Sequence, residues 1–565
     1  MLINRRHKKG KQMRKEYLAL SVALCLASLS ANTMAQTTLV HHVNGYTLVD
    51  GKLQTFNAIQ FTDDKIDRLF TLNQALPSAT DITSIDGKGK TLLPGLIDAH
   101  GHVLGYGLSL LTADLTNTSS EQQAVERAQA FSKNNPTDGW LMGRGWNQEL
   151  WDSKQFPTKE SLDKAFKANP VSFGRVDGHA IWVNSKALAL AGISSTTVAP
   201  EGGEIVKDEQ GNPTGVLIDN AMNLVFNIIP DLNQQQLQST LTLAMDSLAS
   251  YGLTSVHDAG ISIDNIKAYQ QLAANNAMSV RVNGMLSVED PRFTSILKQG
   301  HITTADNMFK VDSVKISADG ALGSRGAALI KEYSDQPGHK GLMLYSDEQL
   351  SKLILQSMKA GFQVNTHAIG DNANQVVLDK YQTAIAATDS KALRHRIEHA
   401  QILDLADIPR FAQLGVIASI QATHATSDKN MAENRLGKAR LAGAYAWRKL
   451  LNANAVIANG SDFPIESPNP FFGLHASVTR QDHVNQPLDG WLATEKLSRI
   501  EALKSFTIDA AYAGHQEQLL GSLEPGKKAD FILVEDDYFT IDPQQIWQNK
   551  VIATWVNGRK VFAKE

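Results

Sequence analysis

Eight short apolar or β-rich segments recur through the middle of the chain, and this repetition constrains the fold more than any other feature. They cover residues 92–99, 253–257, 280–286, 313–317, 362–367, 394–399, 416–420 and 455–459, most closing on Gly, Asp or His ahead of a helix-like stretch. Eight strand-helix units sharing one core predict an α/β fold, a (β/α)8 TIM-like barrel whose functional groups gather at the C-terminal strand ends. The first two segments are about 150 residues apart, far beyond an ordinary connection, so a large insertion, roughly 103–250, is expected over the barrel mouth. At 565 residues, 42% of them hydrophobic, the chain is long enough for that barrel and a second core.

Both flanks read as β structure. Residues 38–85 hold short strand-like runs broken by turn signals such as Asp50-Gly51, and the C-terminus repeats the pattern, with Asn557-Gly558 as a hairpin signal. Neither flank has enough strands for a stable sheet of its own. The expectation is one small β-sandwich built from both termini, residues 36–91 and 519–565, enclosing a barrel over 92–518.

Ahead of these lie seven basic residues from Arg5 to Lys15, an apolar stretch over 17–31, and the small-residue site Thr33-Met34-Ala35 before Gln36. Residues 1–35 therefore read as a secretory signal peptide, with Met13 an alternative start, and the mature chain as exported and periplasmic. A membrane anchor would need about 20 apolar residues, more than this stretch offers. The single cysteine, Cys25, falls inside the signal, so the mature protein has no disulfide, no thiolate ligand and no cysteine nucleophile. Losing seven basic groups and Glu16 moves the formal charge from -4 to about -10, and no basic run remains to engage nucleic acid. The partners expected are a small-molecule substrate and at most a second copy of the chain, with no membrane after signal cleavage.

The polar residues at the strand ends carry the chemistry. His100-Gly101-His102 closes the first segment, and because side chains alternate along a strand the two imidazoles point the same way, half of a metal site. Lys315 lies in the fourth segment, His367 ends the fifth, His399 ends the sixth, and Asp462 follows the eighth. Each also has a plain structural reading: a barrel lysine paired with a carboxylate, a satisfied core histidine, a helix-capping aspartate. Six such residues at one mouth point jointly to a metal centre.

The pattern resembles the amidohydrolase superfamily, and within it the amidohydrolase family 3, YtcJ-like group related to N-substituted formamide deformylases. The likeness covers nearly the whole mature chain. It rests on the run from Leu93-Pro94-Gly95 to His102, on Gly143-Arg144-Gly145-Trp146, Arg175-Val176-Asp177-Gly178-His179 and Asn184-Ser185-Lys186-Ala187-Leu188. It continues through the block from Lys315 to Arg325, the most specific of these, then His367-Ala368-Ile369-Gly370-Asp371, Arg396-Ile397-Glu398-His399 and Gly460-Ser461-Asp462-Phe463-Pro464. One departure is Gln421-Ala422-Thr423-His424, where relatives tend to have Gln-Pro.

The resemblance implies two divalent metals, most simply zinc, with His100, His102 and Asp462 on one, His367 and His399 on the other, and Lys315 bridging both as a CO2-derived carbamate. It implies hydrolysis of a non-peptide carbon-nitrogen bond, of the amide or N-substituted formamide class, by a metal-activated hydroxide, with Asp462 as the catalytic proton carrier. Arg144, Trp146 and His179 in the insertion, and Arg325 after the fourth segment, are the candidates for binding substrate. Trp146 can equally pack, and Arg144 can equally pair with Glu149 or Asp152. Asp319-Gly320 reads as a turn rather than as chemistry. Two other functions stand beside this one: a deaminase or cyclic-amide hydrolase, which Lys315 disfavours if mononuclear, and a non-catalytic periplasmic binding or regulatory protein on the same fold.

Overall fold

The computed structural model describes residues 35–137, 139–175, 180–200 and 203–564; residues 1–34 of the expected signal peptide and His179 lie outside them. Eight parallel strands pair in chain order: Leu96–Gly101, Leu253–Ile261, Arg281–Ser287, Phe309–Ser317, Gln363–Ala368, Arg396–His399, Ile417–Gln421 and Ile457–Gly460. Each matches one of the segments expected from sequence. First and last strands meet at a seam without a ladder, pinned instead by the buried Asp98 carboxylate, which accepts the Ser461 hydroxyl (2.7 Å) and the Ser461 and His100 backbone N–H groups. Across the same seam the Asp462 N–H donates to His100 O (2.7 Å). The result is a nearly closed barrel.

The first expected strand, 92–99, is in fact two. Thr91–Pro94 pairs with Phe531–Val534 in the sheet of the termini, and only Leu96–Gly101 belongs to the barrel, so the barrel starts at Leu96 rather than at residue 92. Gly95 makes the transfer. A Cβ there would lie 2.2 Å from Thr254 Oγ1, so only glycine lets the chain pass from one sheet to the other this close to the second barrel strand.

The termini form one eight-stranded sheet. Its path runs through Arg559–Ala563, Val551–Val556, Phe531–Val534, Thr91–Pro94, Thr37–Val49, Lys52–Thr62 and Lys65–Phe70, with Ile82–Asp86 also paired to Thr37–Val49. Phe56, Phe61, Phe531 and Trp555 build its core, with Trp555 stacked on Phe531 at 4.7 Å.

Between the first and second barrel strands stands a six-stranded sheet within residues 113–219, with a core on each face. Alternation along Ala180–Val183 shows how: Ala180 and Trp182 enter one core with Trp146, Trp151 and Phe173, while Ile181 and Val183 enter the other with Ile205 and Leu217. The helices at its ends, Val103–Leu110 and Gln234–Ser250, bury Val103, Leu241, Met245 and Leu248 in the barrel's own core. The independent part of the insertion is thus shorter than the expected 103–250.

Candidate metal centre

The C-terminal strand ends bring His100, His102, Lys315, His367, His399 and Asp462 around one cavity of about 610 Å3, all but the wholly buried His100 in its wall. The His100 and His102 rings lie 5.5 Å apart and converge on Asp462 Oδ1, at 3.6 Å from His100 Nε2 and 3.0 Å from His102 Nε2. His399 packs its ring 4.9 Å from His100 and 4.5 Å from His367. Two of these side chains are aimed by backbone in the left-handed region, His399 at φ 75° and Asp462 at φ 60°, a conformation costly for residues with a Cβ and often found at functional sites.

Their hydrogen bonds fix which nitrogens are bare. His102 donates Nδ1–H to Ala259 O (2.8 Å), His399 donates Nδ1–H to Gln421 Oε1 (2.7 Å), and His100 donates Nδ1–H to Glu398. In each ring Nε2 then presents a lone pair to the cluster. Imidazole ligands of metals are held this way, by a carbonyl or carboxylate on the far nitrogen. Bare Nε2 atoms directed at a carboxylate oxygen from 3.0 and 3.6 Å repel it unless a cation lies between them. The donor set of imidazoles and a carboxylate therefore suits a divalent ion such as zinc.

Burial, then the charge of Lys315, lowers the His100 pKa to about 4, and burial with the neighbouring His367 takes His399 well below its usual range. Burial also pulls the Lys315 ammonium down; its Nζ is 3.2 Å from His100 Nε2 and pairs with no carboxylate among the described residues.

Glu398 was visible in the sequence only as part of a motif, yet it is wholly buried and orients His100. Burial would raise its carboxyl, but Arg396, with Nε at 2.8 Å, and His100 hold it well below the usual value. His367 faces Asp319, whose carboxylate lies 3.4 Å from His367 Nε2 and accepts the N–H groups of Ala328, Ile369 and Gly370. That matches the turn-shaping role expected of Asp319. His424 also reaches the cluster, Nε2 at 3.8 Å from Asp462 Oδ2.

The described candidates for substrate binding, Arg144, Trp146 and Arg325, are not brought to the cavity. Trp146 is 0% exposed, donates Nε1–H to Phe173 O (2.7 Å) and packs among Trp151, Phe156 and Trp182, so it serves the insertion's core and presents no surface to a ligand. Arg144 is exposed on the strand Leu141–Trp146 and does not line the cavity. Arg325 is held by Asp335 (3.0 and 3.2 Å), away from the cavity wall that its neighbours Ala321, Leu322 and Gly323 do form. Among the described residues the remaining wall comes from barrel loops, including Glu289, Ile369, Gln401 and Ile465, and from Asp428 and Met431 of the helix Ala422–Leu436.

The amidohydrolase family profile matches residues 83–562, which span the barrel, the insertion and the later strands of the terminal sheet but not the three from Thr37 to Phe70. The chain belongs to the amidohydrolase family. This amidohydrolase is 35% identical over 483 residues to the Bacillus subtilis protein YtcJ, covering 84% of this chain and 90% of that one. It is 26% identical over 499 residues to the N-substituted formamide deformylase of Arthrobacter pascens, covering 85% and 90%. Its fold matches a metal-dependent hydrolase of Pyrococcus furiosus with a TM-score of 0.75 and 26% identity, over 89% of this chain and all of that one.

Proposed function

We propose that this amidohydrolase cleaves a non-peptide carbon-nitrogen bond, in an amide or N-substituted formamide of a small compound met outside the cytoplasm. The observation that carries the reading is the Asp462 carboxylate, set in the cavity wall with imidazole nitrogens at 3.0, 3.6 and 3.8 Å. The deformylase named among its relatives supports the bond class.

Two zinc ions per chain are the simplest content; His100, His102 and Asp462 would hold one, His367 and His399 the other, and Lys315 would contribute to both. A bound divalent ion supplies Lewis acidity, bringing the pKa of a water from 15.7 to about 7 and polarising a carbonyl oxygen. Asp462 takes the proton of the attacking water on a carboxylate lone pair that no cation occupies and returns it to the leaving nitrogen. Glu398, Gln421 and the Ala259 carbonyl keep the imidazoles aimed while this happens. Leu322, Ile369, Met431 and Ile465 give the cavity an apolar wall for the acyl or amine portion of the substrate.

Lys315, buried and without a carboxylate partner among the described residues, suits a neutral amine that adds CO2 and releases a proton to become a carbamate. Reconstituting the metal-free protein with and without bicarbonate tests this. Loading should fall without bicarbonate, and Lys315→Ala should load poorly in both; a Lys315→Ala variant that loads like the parent removes the carbamate from the account.

A further inference from the structure

We propose that His424 is a metal ligand, so that Asp462 spans two cation positions, His100 and His102 on its Oδ1 and His399 and His424 on its Oδ2. The inference rests on reading this pocket as a metal centre, and it adds His424 and the second Asp462 oxygen to the ligands of the second ion.

The distances carry it. With zinc-ligand bonds of about 2.0–2.2 Å, two ligand atoms on a tetrahedral ion sit about 3.3–3.5 Å apart. Asp462 Oδ1 is 3.0 and 3.6 Å from the Nε2 atoms of His102 and His100, and Oδ2 is 3.8 Å from Nε2 of His424. Both sides of the carboxylate are within a few tenths of an ångström of that edge. One donor atom each of His399, His424 and Asp462 also lies within 4.8 Å of the others, as is true of His100, His102 and Asp462.

His424 has no other occupation for this nitrogen. Its Nε2 is buried and makes no hydrogen bond among the described residues, and its ring lies nearly parallel to His399 at 6.0 Å, 19° between the planes. Such a buried polar atom calls for a partner. Local structure explains its placement: the strand Ile417–Gln421 runs directly into the helix Ala422–Leu436, whose first N–H, on Ala422, donates to Asn459 Oδ1 (3.2 Å). Gln421 thereby aims His399, and one turn later His424 enters the same pocket from the helix.

The test is metal content, read without any substrate. Parent, His424→Ala and His424→Asp chains, stripped and reloaded with zinc against a competing chelator, are counted by elemental analysis, and cobalt-loaded samples are compared by visible absorption. The parent should hold two ions. His424→Ala should keep one and bind the second at least about tenfold more weakly, losing part of the cobalt spectrum, while His424→Asp, which restores an oxygen donor, should recover it. Unchanged melting of the metal-free variants shows that the fold is intact. Two ions at parental affinity in His424→Ala, loss of both ions together, or a single ion in the parent would each overturn the proposal. Because no turnover enters the measurement, its failure leaves the hydrolase reading standing, and a failed search for substrates leaves this one standing.

Discussion

Replacing Glu398 by Gln should be among the most damaging changes that leave side-chain size intact. The carboxylate is wholly buried; it takes Nδ1–H of His100 and, at 3.0 Å, Nη2 of Arg396, whose Nε lies 2.8 Å from the other oxygen. Arg396, itself 1% exposed, also donates to Ala99 O (2.6 Å), Ser419 Oγ (2.9 Å) and His257 Nδ1 (2.9 Å), so it cannot turn away to solvent. Glutamine leaves that guanidinium buried without its counter-charge, which costs about 3–5 kcal/mol when one member of a buried pair is removed. It also loosens the hold on His100, and losing such an outer partner lowers metal affinity by about 10–100-fold. Because the folded Glu398 pKa lies below its ordinary 4.5, the stability it lends is complete above that pH and is lost only as the pH falls toward the depressed value. The comparison therefore belongs at neutral pH, as urea unfolding of the metal-free chains followed by zinc titration against a chelator. Unfolding within about 1 kcal/mol of the parent together with parental zinc affinity would refute the reasoning.

Trp146→Ala should destabilise the insertion by about 3–5 kcal/mol, the cost of a large aromatic lost from a packed core, while leaving zinc affinity alone; urea unfolding and zinc titration of one sample check both. Stability should also fall on acidification. Burial lowers His395 to about 3 and His475 to about 4, both below the 6.5 of an exposed imidazole, so from pH 6.5 downward the unfolded chain takes up protons the folded one refuses. Each contributes up to about 1.4 kcal/mol per pH unit until its folded pKa is reached. Urea midpoints between pH 7 and 5 measure the slope, which should be shallower in His395→Asn.

The barrel was legible because its strands are short apolar runs ended by polar residues, and the metal cluster because its ligands sit at those ends. What stayed hidden depended on contacts across the chain. The run 92–99 has the same apolar character on both sides of Gly95, and only pairing with Phe531–Val534 tells the terminal-sheet half from the barrel half. Trp146 carries no local sign of whether it faces a ligand or a core; Phe173 and Trp182, distant in sequence, decide that together with the nearby Trp151. Glu398 sits beside a recognised histidine, yet its function lies in reaching His100, 298 residues away. His424 lies in the stretch that departs from the family pattern. Its meaning came from the distance to Asp462.

Whether this pocket breaks carbon-nitrogen bonds is decided by turnover of N-formyl, N-acyl and cyclic amides by fully metal-loaded parent and Asp462→Asn chains. The parent should hydrolyse at least one of them, and the variant, equal in size but unable to carry the proton, should be slower by at least about a hundredfold while retaining much of its metal and its melting temperature. No turnover of any such compound at full metal occupancy, or equal turnover by Asp462→Asn, would contradict the proposed hydrolysis.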